Sequence, residues 1–223
     1  MKVSMKDGSV QDLTFADELG QEAFHHTTSH ILAQAVKRLY PDTKCAIGPA
    51  IKDGYYYDFE FSFPFTTEHL EAVEKEMRKI VKEALPLERF TMNRQEAIDL
   101  MKEKNEPYKV ELIEDLPEDA ELSFYKQGEY LDLCAGPHVS NTSVIKAFKL
   151  QSVAGAYWRG DEHRQMLTRI YGTSFPKAAE LEAYLKRMEE ARLRDHRKLG
   201  KDLELFMTHK LVGSGLPMYL PNG

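Results

Sequence analysis

Several absences bound this chain before any motif is considered. No apolar run approaches the ~20 residues that a membrane-spanning helix needs. The opening Met1-Lys-Val-Ser-Met-Lys-Asp7 carries no apolar core of the kind found in secretory leaders, so no secretory signal is expected. Cysteine is scarce: Cys45 and Cys134 are the only two in 223 residues, too few for a disulfide scaffold. A reducing, cytoplasmic setting with one structural and one functional thiol is the expectation. No glycine-rich phosphate loop occurs, so ATP is not expected to bind and amino-acid activation is not expected. Nor is there a basic excess. With 30 Lys and Arg against 36 Asp and Glu, the net charge of −6 argues against a generic nucleic-acid binder.

What remains is an ordinary globular composition, 42% apolar and 30% charged, long enough for one or two cored domains. Met1–Val10 reads as a lone strand ending at the Asp7-Gly8 turn signal. Gln21–Tyr40 reads as a helix with an apolar stripe of Phe24, Ile31, Leu32, Ala35, Val36 and Leu39, stopped by Pro41. Lys44–Ile51 and Tyr55–Phe61 read as a hairpin whose second strand puts Tyr55, Tyr57, Phe59 and Phe61 on one face. Thr66 or Thr67 opens a helix with the stripe Leu70, Val73, Met77, Ile80 and Val81, and a strand at Arg89–Met92 leads to a helix capped by Asn93. Leu122–Tyr125 with Tyr130–Leu133 forms a second hairpin, and Phe148–Val153 with Gln165–Tyr171 supplies further strands joined by a Gly155–Asp161 loop. Pro176 opens a long, charged helix. Helices alternating with antiparallel hairpins predict an α+β fold: a curved antiparallel sheet, helices packed on one side, and a site in the cleft between them.

Two short stretches carry chemistry. In Tyr130-Leu-Asp-Leu-Cys-Ala-Gly-Pro-His138, a strand puts Tyr130, Asp132 and Cys134 on one face, and Gly136-Pro137 turns His138 back beside them. In His26-Thr-Thr-Ser-His30, two imidazoles four residues apart share one helix face. His26, His30, Cys134 and His138 together have the identities and number of a tetrahedral zinc site. They equally suit a hydrolytic pocket in which they donate, accept and hold water. Two unrelated accidents are the plain alternative: a solvated helix pair, and a cysteine packed as a small hydrophobe. A zinc protease is disfavoured, because Thr27-Thr28 stand where an HExxH helix needs glutamate.

The charges are unevenly spread. Glu103–Glu121 is acidic. Lys146, Lys149, Arg159, Arg164 and Arg169 outnumber the acids around them, and Lys186–Lys201 is basic as well. Such a face suits local contact with a phosphate backbone, with a solvated surface as the alternative. In the Gly155–Asp161 loop, Trp158 offers a stacking surface or plain packing and Arg159 a phosphate-reading fork.

His26-Thr-Thr-Ser-His30, Asp132-Leu-Cys134-Ala-Gly-Pro-His138 and Gly155-Ala-Tyr-Trp-Arg-Gly-Asp161 resemble the editing domain of bacterial threonyl-tRNA synthetase, whose motif pair is shared with alanyl-tRNA synthetase editing domains and free-standing deacylases. The resemblance runs from about Leu13 onward. It implies residues 1–12 as a remnant N-terminal strand, 13–175 as the editing domain, 176–202 as a linker helix and 203–223 as the truncated start of a class II catalytic domain. It implies hydrolysis of the ester of mischarged seryl-tRNA(Thr), with the tRNA 3′ acceptor end and its seryl moiety as partners and no membrane. The full-length synthetase is expected to be a homodimer. A tRNA-docking module without catalysis and a zinc-dependent free-standing deacylase are the alternatives. By resemblance Lys109, unremarkable from spacing, joins His26, His30, Asp132, Cys134 and His138 as catalytic, while Tyr57 and Arg159 bind substrate. Lys109 and Asp132 fit a mechanism that requires no metal, with zinc on the quartet as the alternative.

Overall fold

The N-terminal residues show how short elements gain partners here. In the computed structural model, which describes residues 1–194 and the backbone of two further short strands, Phe206–Thr208 and Pro217–Tyr219, the chain begins with a hairpin. Strands β1 (Lys2–Ser4) and β2 (Val10–Asp12) pair antiparallel, and Gly8 supplies the positive φ of 82° that the turn requires. The expected lone strand therefore pairs with its own continuation. Its other edge is taken by β9 (His138–Val139), with Val3 opposite Val139 and fully buried. A three-residue strand is stable only because both edges are occupied.

Helix α1 (Glu18–Leu39) starts three residues before the expected Gln21 and ends ahead of Pro41. Its stripe of Phe24, Ile31, Leu32, Ala35 and Val36 is buried, and the burial extends around to Thr27, Thr28, Ser29 and His30. That is why α1 lacks a clean polar face: it packs against α2 (Leu70–Glu83), β5 (Gly54–Glu60) and β9 at once. Between α1 and β5 run two brief strands, β3 (Lys44–Cys45) and β4 (Ala50–Ile51), so the expected first hairpin strand is broken at residues 46–49. Gly48 sits at that break with the Tyr57 ring against its Cα, leaving no room for a side chain.

On β5 the aromatic stripe is core: Tyr55, Tyr57 and Phe59 are fully buried, and Tyr57 stacks on Phe59 at 4.7 Å between ring centres. On the opposite face Asp58 is buried too, because Arg169 meets it with two bonds of 2.7 and 2.8 Å while lying over the Tyr56 ring. Charge is tolerable there only because the bidentate partner satisfies both carboxylate oxygens.

The second half contributes β6 (Leu87–Met92), α3 (Arg94–Glu103), α4 (Pro107–Asp115), β7 (Leu122–Gln127) and β8 (Tyr130–Leu133). Asn93 caps α3 as expected, its side-chain oxygen accepting from the Glu96 N–H at 2.9 Å. Helix α4 lies in the acidic stretch that carried no expected element, and it is opened by Pro107 in its first turn. Strands β10 (Ala147–Tyr157) and β11 (Met166–Phe175) run longer than expected and absorb Gly155–Tyr157 into a ladder, so the connecting loop shortens to 158–165.

Among residues 1–177, which form one compact unit, the strands fall into three antiparallel sheets. Their orders are β2-β1-β9, β10-β11-β5-β3 with β4 also on β5, and β6-β7-β8. The class is α+β, as expected, although the strands divide among three sheets instead of joining in one. The second unit, residues 178–223, holds α5 (Ala178–Leu193) and the pairing of Phe206–Thr208 with Pro217–Tyr219. The remainder of the expected linker helix and catalytic-domain start lies outside the described residues. No helix of the described residues is long and apolar enough to cross a membrane.

Phe59 stacks on Tyr57 between α1 and its sheet, so Phe59→Ala is expected to destabilise the fold by about 3–5 kcal/mol in denaturant unfolding. A loss below about 1 kcal/mol would show that the stripe is not a packed core.

Candidate functional site

The two stretches singled out in the sequence meet. Four elements converge: α1 brings His26 and His30, β8 and its turn bring Asp132 and Cys134, β9 brings His138, and α4 brings Lys109. The metal-binding atoms available on His26, His30, Cys134 and His138 all lie within 4.8 Å of one another. Cys134 Sγ is 3.3 Å from His26 Nε2 and 3.2 Å from His138 Nε2. The His138 ring lies 4.2 Å from each of the other two imidazole rings, centre to centre. The helical spacing of four puts His26 and His30 on the same side, and the turn at Gly136, where φ is 83°, returns the chain toward them. A Cβ at Gly136 would run into Tyr125.

A buried ion pair closes the far side. Lys109 Nζ is 2.5 Å from Asp132 Oδ1, with the two side chains only 5% and 3% exposed. The other oxygen, Oδ2, accepts from the Tyr57 hydroxyl at 2.7 Å and the Tyr130 hydroxyl at 2.9 Å, and His30 Nε2 stands 3.6 Å away. Tyr57 thus has its phenol committed to Asp132 and is itself fully buried. Tyr130 has an equal share in holding the carboxylate, a role not assigned from sequence although the strand alternation places it on the same face as Asp132.

Burial decides the charge states. It drives the His26 imidazole down to about 3, helped by the neighbouring His30, and His30 down to about 4 against the pull of Asp132. His138 falls well below the ordinary histidine range through burial and the other two rings. Burial also lifts the Cys134 thiol to about 12, with Asp132 adding to it. Burial pulls Lys109 toward neutrality, yet the adjacent carboxylate more than offsets this and holds the ammonium above its usual value. Asp132, pushed up by burial, ends below its usual value because of Lys109 and then His30. At neutral pH the site holds three neutral imidazoles, a neutral thiol and one internally balanced ion pair.

His26, His30, Lys109, Asp132 and Cys134 line a cavity of about 370 Å³, walled also by Gly48, Pro49, Leu112 and Leu133. His138 sits behind Cys134, fully buried. Arg159 is not among the lining residues; its guanidinium meets Glu111 at 3.0 Å and also Asp115. Arg164 bonds Glu111 through two nitrogens at 2.7 Å, and Lys149 pairs with Glu74 at 2.8 Å. Most of the basic group expected to face a phosphate backbone is therefore matched by acids within the fold. Trp158 is packing: 3% exposed, against Tyr108, its indole donating to Glu111. Of the basic run at Lys186–Lys201, the part beyond residue 194 lies outside the described residues.

The quartet fits a divalent metal. A tetrahedral zinc with ordinary bond lengths separates its sulfur and nitrogen ligands by about 3.5 Å, close to the Cys134–His distances.

Residues 122–171 match the family model described as the threonyl and alanyl tRNA synthetase second additional domain. Over 217 residues, 97% of the chain, it is 62% identical to the threonine–tRNA ligase of Acetivibrio thermocellus. It is 63% identical over 218 residues to that of Clostridium botulinum strain Loch Maree, and 62% to that of Caldanaerobacter subterraneus. In each case the chain spans 34% of the relative's length.

The neutral imidazoles set an acid limb. His26 and His30 titrate near 3 and 4 when folded and near 6.5 when unfolded, so the unfolded chain binds more protons between those values. Their contribution is complete above about pH 6.5 and is lost as pH falls toward 3, and Asp132, held below its unfolded value, adds to the loss below about pH 4. Denaturant midpoints recorded from pH 3.5 to 7.5 are expected to rise with pH, and His26→Gln to flatten that rise. Identical slopes for the two proteins would show that His26 is not held neutral.

Proposed function

The chain belongs to the threonyl and alanyl tRNA synthetase second-additional-domain family in the form carried by bacterial threonine–tRNA ligases, and from that we propose that it hydrolyses the ester linking serine to the 3′ end of mischarged seryl-tRNA(Thr). The observation that carries this reading is the one cavity in which a buried Lys109–Asp132 pair faces His26, His30 and Cys134.

The chemical need is a second sieve. A pocket built to accept threonine admits serine, one methyl smaller, at a penalty of only about 1–3 kcal/mol. A hydrolytic site that admits serine and rejects the extra methyl supplies the missing discrimination.

An aminoacyl ester is already activated, so the site has to place one water and stabilise one developing charge. Water held by His26 and His30 adds to the seryl carbonyl carbon. The oxygen that gains negative charge forms beside the Lys109 ammonium, whose charge is secured by Asp132. Asp132 is itself occupied by the Tyr57 and Tyr130 hydroxyls, which supports its role as the group that orients Lys109. The proton released by the water passes to an imidazole and from there to the ribose oxygen as the carbon–oxygen ester bond breaks. Free serine and an intact 3′ ribose hydroxyl result. Cys134 forms part of the cavity wall; burial of its thiol disfavours the thiolate that a covalent acyl intermediate requires. If a zinc ion occupies the site, His26, His30, Cys134 and His138 would hold it and it would supply Lewis-acid polarisation, leaving Lys109 and Asp132 as a supporting layer.

With isolated protein, seryl-tRNA(Thr) is expected to lose its amino acid roughly 10- to 200-fold faster than threonyl-tRNA(Thr). Lys109→Ala and His26→Ala are each expected to slow hydrolysis by about 100-fold or more. Treatment with a chelator is expected to leave the rate unchanged. Equal rates on the two esters would remove the sieve. Loss of activity on chelation, restored by one equivalent of zinc, would transfer the mechanism to the metal, and tRNA binding without hydrolysis would leave a docking module.

A further inference from the structure

Thr27 follows His26 on α1 and is fully buried, facing β9. Its Oγ1 accepts the Val139 backbone N–H at 3.0 Å and lies 3.1 Å from His138 Nδ1. A hydroxyl has one proton to give. A threonine within a helix commonly returns that proton to a carbonyl four residues back, as Thr28 does to Phe24 at 2.8 Å. Thr27 makes no such bond among the described residues, so the acceptor within reach of its proton is His138 Nδ1. A neutral imidazole that accepts at Nδ1 carries its hydrogen on Nε2.

The consequence runs on around the site. His138 Nε2–H points at Cys134 Sγ, 3.2 Å away, and the Gly136 backbone N–H also donates to that sulfur at 3.3 Å. With two donors already on the sulfur, the thiol proton is left for the third neighbour, His26 Nε2 at 3.3 Å. His26 must then carry its own hydrogen on the other nitrogen.

We propose that Thr27 is a positioning residue that fixes a one-way hydrogen-bond chain, Thr27 to His138 to Cys134 to His26, and so holds His138 and His26 in opposite tautomers. His138 is the Nε2–H form and His26 the Nδ1–H form. Building on the proposed hydrolysis, this makes His26 Nε2 an acceptor, engaged by the Cys134 thiol at rest and able to receive a proton from water once that thiol turns its hydrogen away. It also keeps His138 a donor that never competes for that proton. Cys134 relays the preference between them as a thiol. Thr27 itself touches neither water nor substrate.

The tautomers are observable without any substrate. In the chain labelled with 15N-histidine and freed of metal by a chelator, long-range 1H–15N correlation separates bare from protonated ring nitrogens. Among the eight histidine rings, the one whose signals are lost in His138→Gln is expected to be protonated at Nε2 and the one lost in His26→Gln at Nδ1. Thr27→Ser is expected to preserve both patterns, and Thr27→Val, similar in shape but without the hydroxyl, to shift His138 toward its Nδ1–H form. On seryl-tRNA(Thr), Thr27→Val is expected to lower kcat on the order of 10-fold with KM within about 2-fold, and Thr27→Ser to restore it. His138 protonated at Nδ1 in the unmodified chain, or the same tautomer on both rings, overturns the proposal. So does a His138 pattern unchanged by Thr27→Val. If Thr27→Val does not fold, the spectrum of the unmodified chain decides alone. If the chain hydrolyses no ester, the proposed function fails while the tautomer result still stands or falls by itself.

Discussion

The contact on which the rest of the site depends is the ion pair between Lys109 and Asp132. Two opposite charges have been taken out of water, at a cost that neither would survive alone. The fold meets it by crowding: two phenols from β5 and β8 give their protons to one carboxylate oxygen while the ammonium takes the other. The aromatic residues that look like filler on β5 therefore serve the polar centre. Tyr57 stacks on Phe59 to be fixed in place, and being fixed, it can hold Asp132.

The three imidazoles follow from the same enclosure. An unpaired cation next to Lys109 would be unfavourable in so small a volume, and the rings settle as neutral groups with one another and a thiol for neighbours. Their hydrogen bonds are then directional instead of electrostatic. A buried hydroxyl such as Thr27, carrying no charge, can matter to them because the choice it makes is between two forms of equal charge.

Local pattern in the sequence carried much of this. The spacing of His26 and His30, the alternation Tyr130–Asp132–Cys134 and the Gly136-Pro137 turn each have a local cause, and each puts its side chain where the structure has it. What was not legible lies where local pattern and tertiary contact disagree. Helix α4 hides in an acidic stretch, and Lys109 reads there as a solvated lysine; only its distance of more than twenty residues in sequence from Asp132, closed by the fold, gives it a partner. Met1–Val10 reads as one strand because its partners are a turn away and far downstream. Arg159 and Arg164 read as free cations since the acids that bind them, Glu111 and Asp115, sit on that same unrecognised helix. Composition counts charges, and only the fold pairs them.

The balance of charge inside the cavity has a consequence for what can enter it. One ammonium and one carboxylate cancel at close range, and the other charged group of the lining, Glu22, is an acid with Lys6 3.9 Å away, so the lining turns no unpaired positive charge toward the opening. A pocket of that kind does not gather counterions. Free phosphate, nucleotides and small carboxylates, abundant wherever proteins are made, gain little by lodging there, and the cavity stays open for a guest that is admitted by its shape.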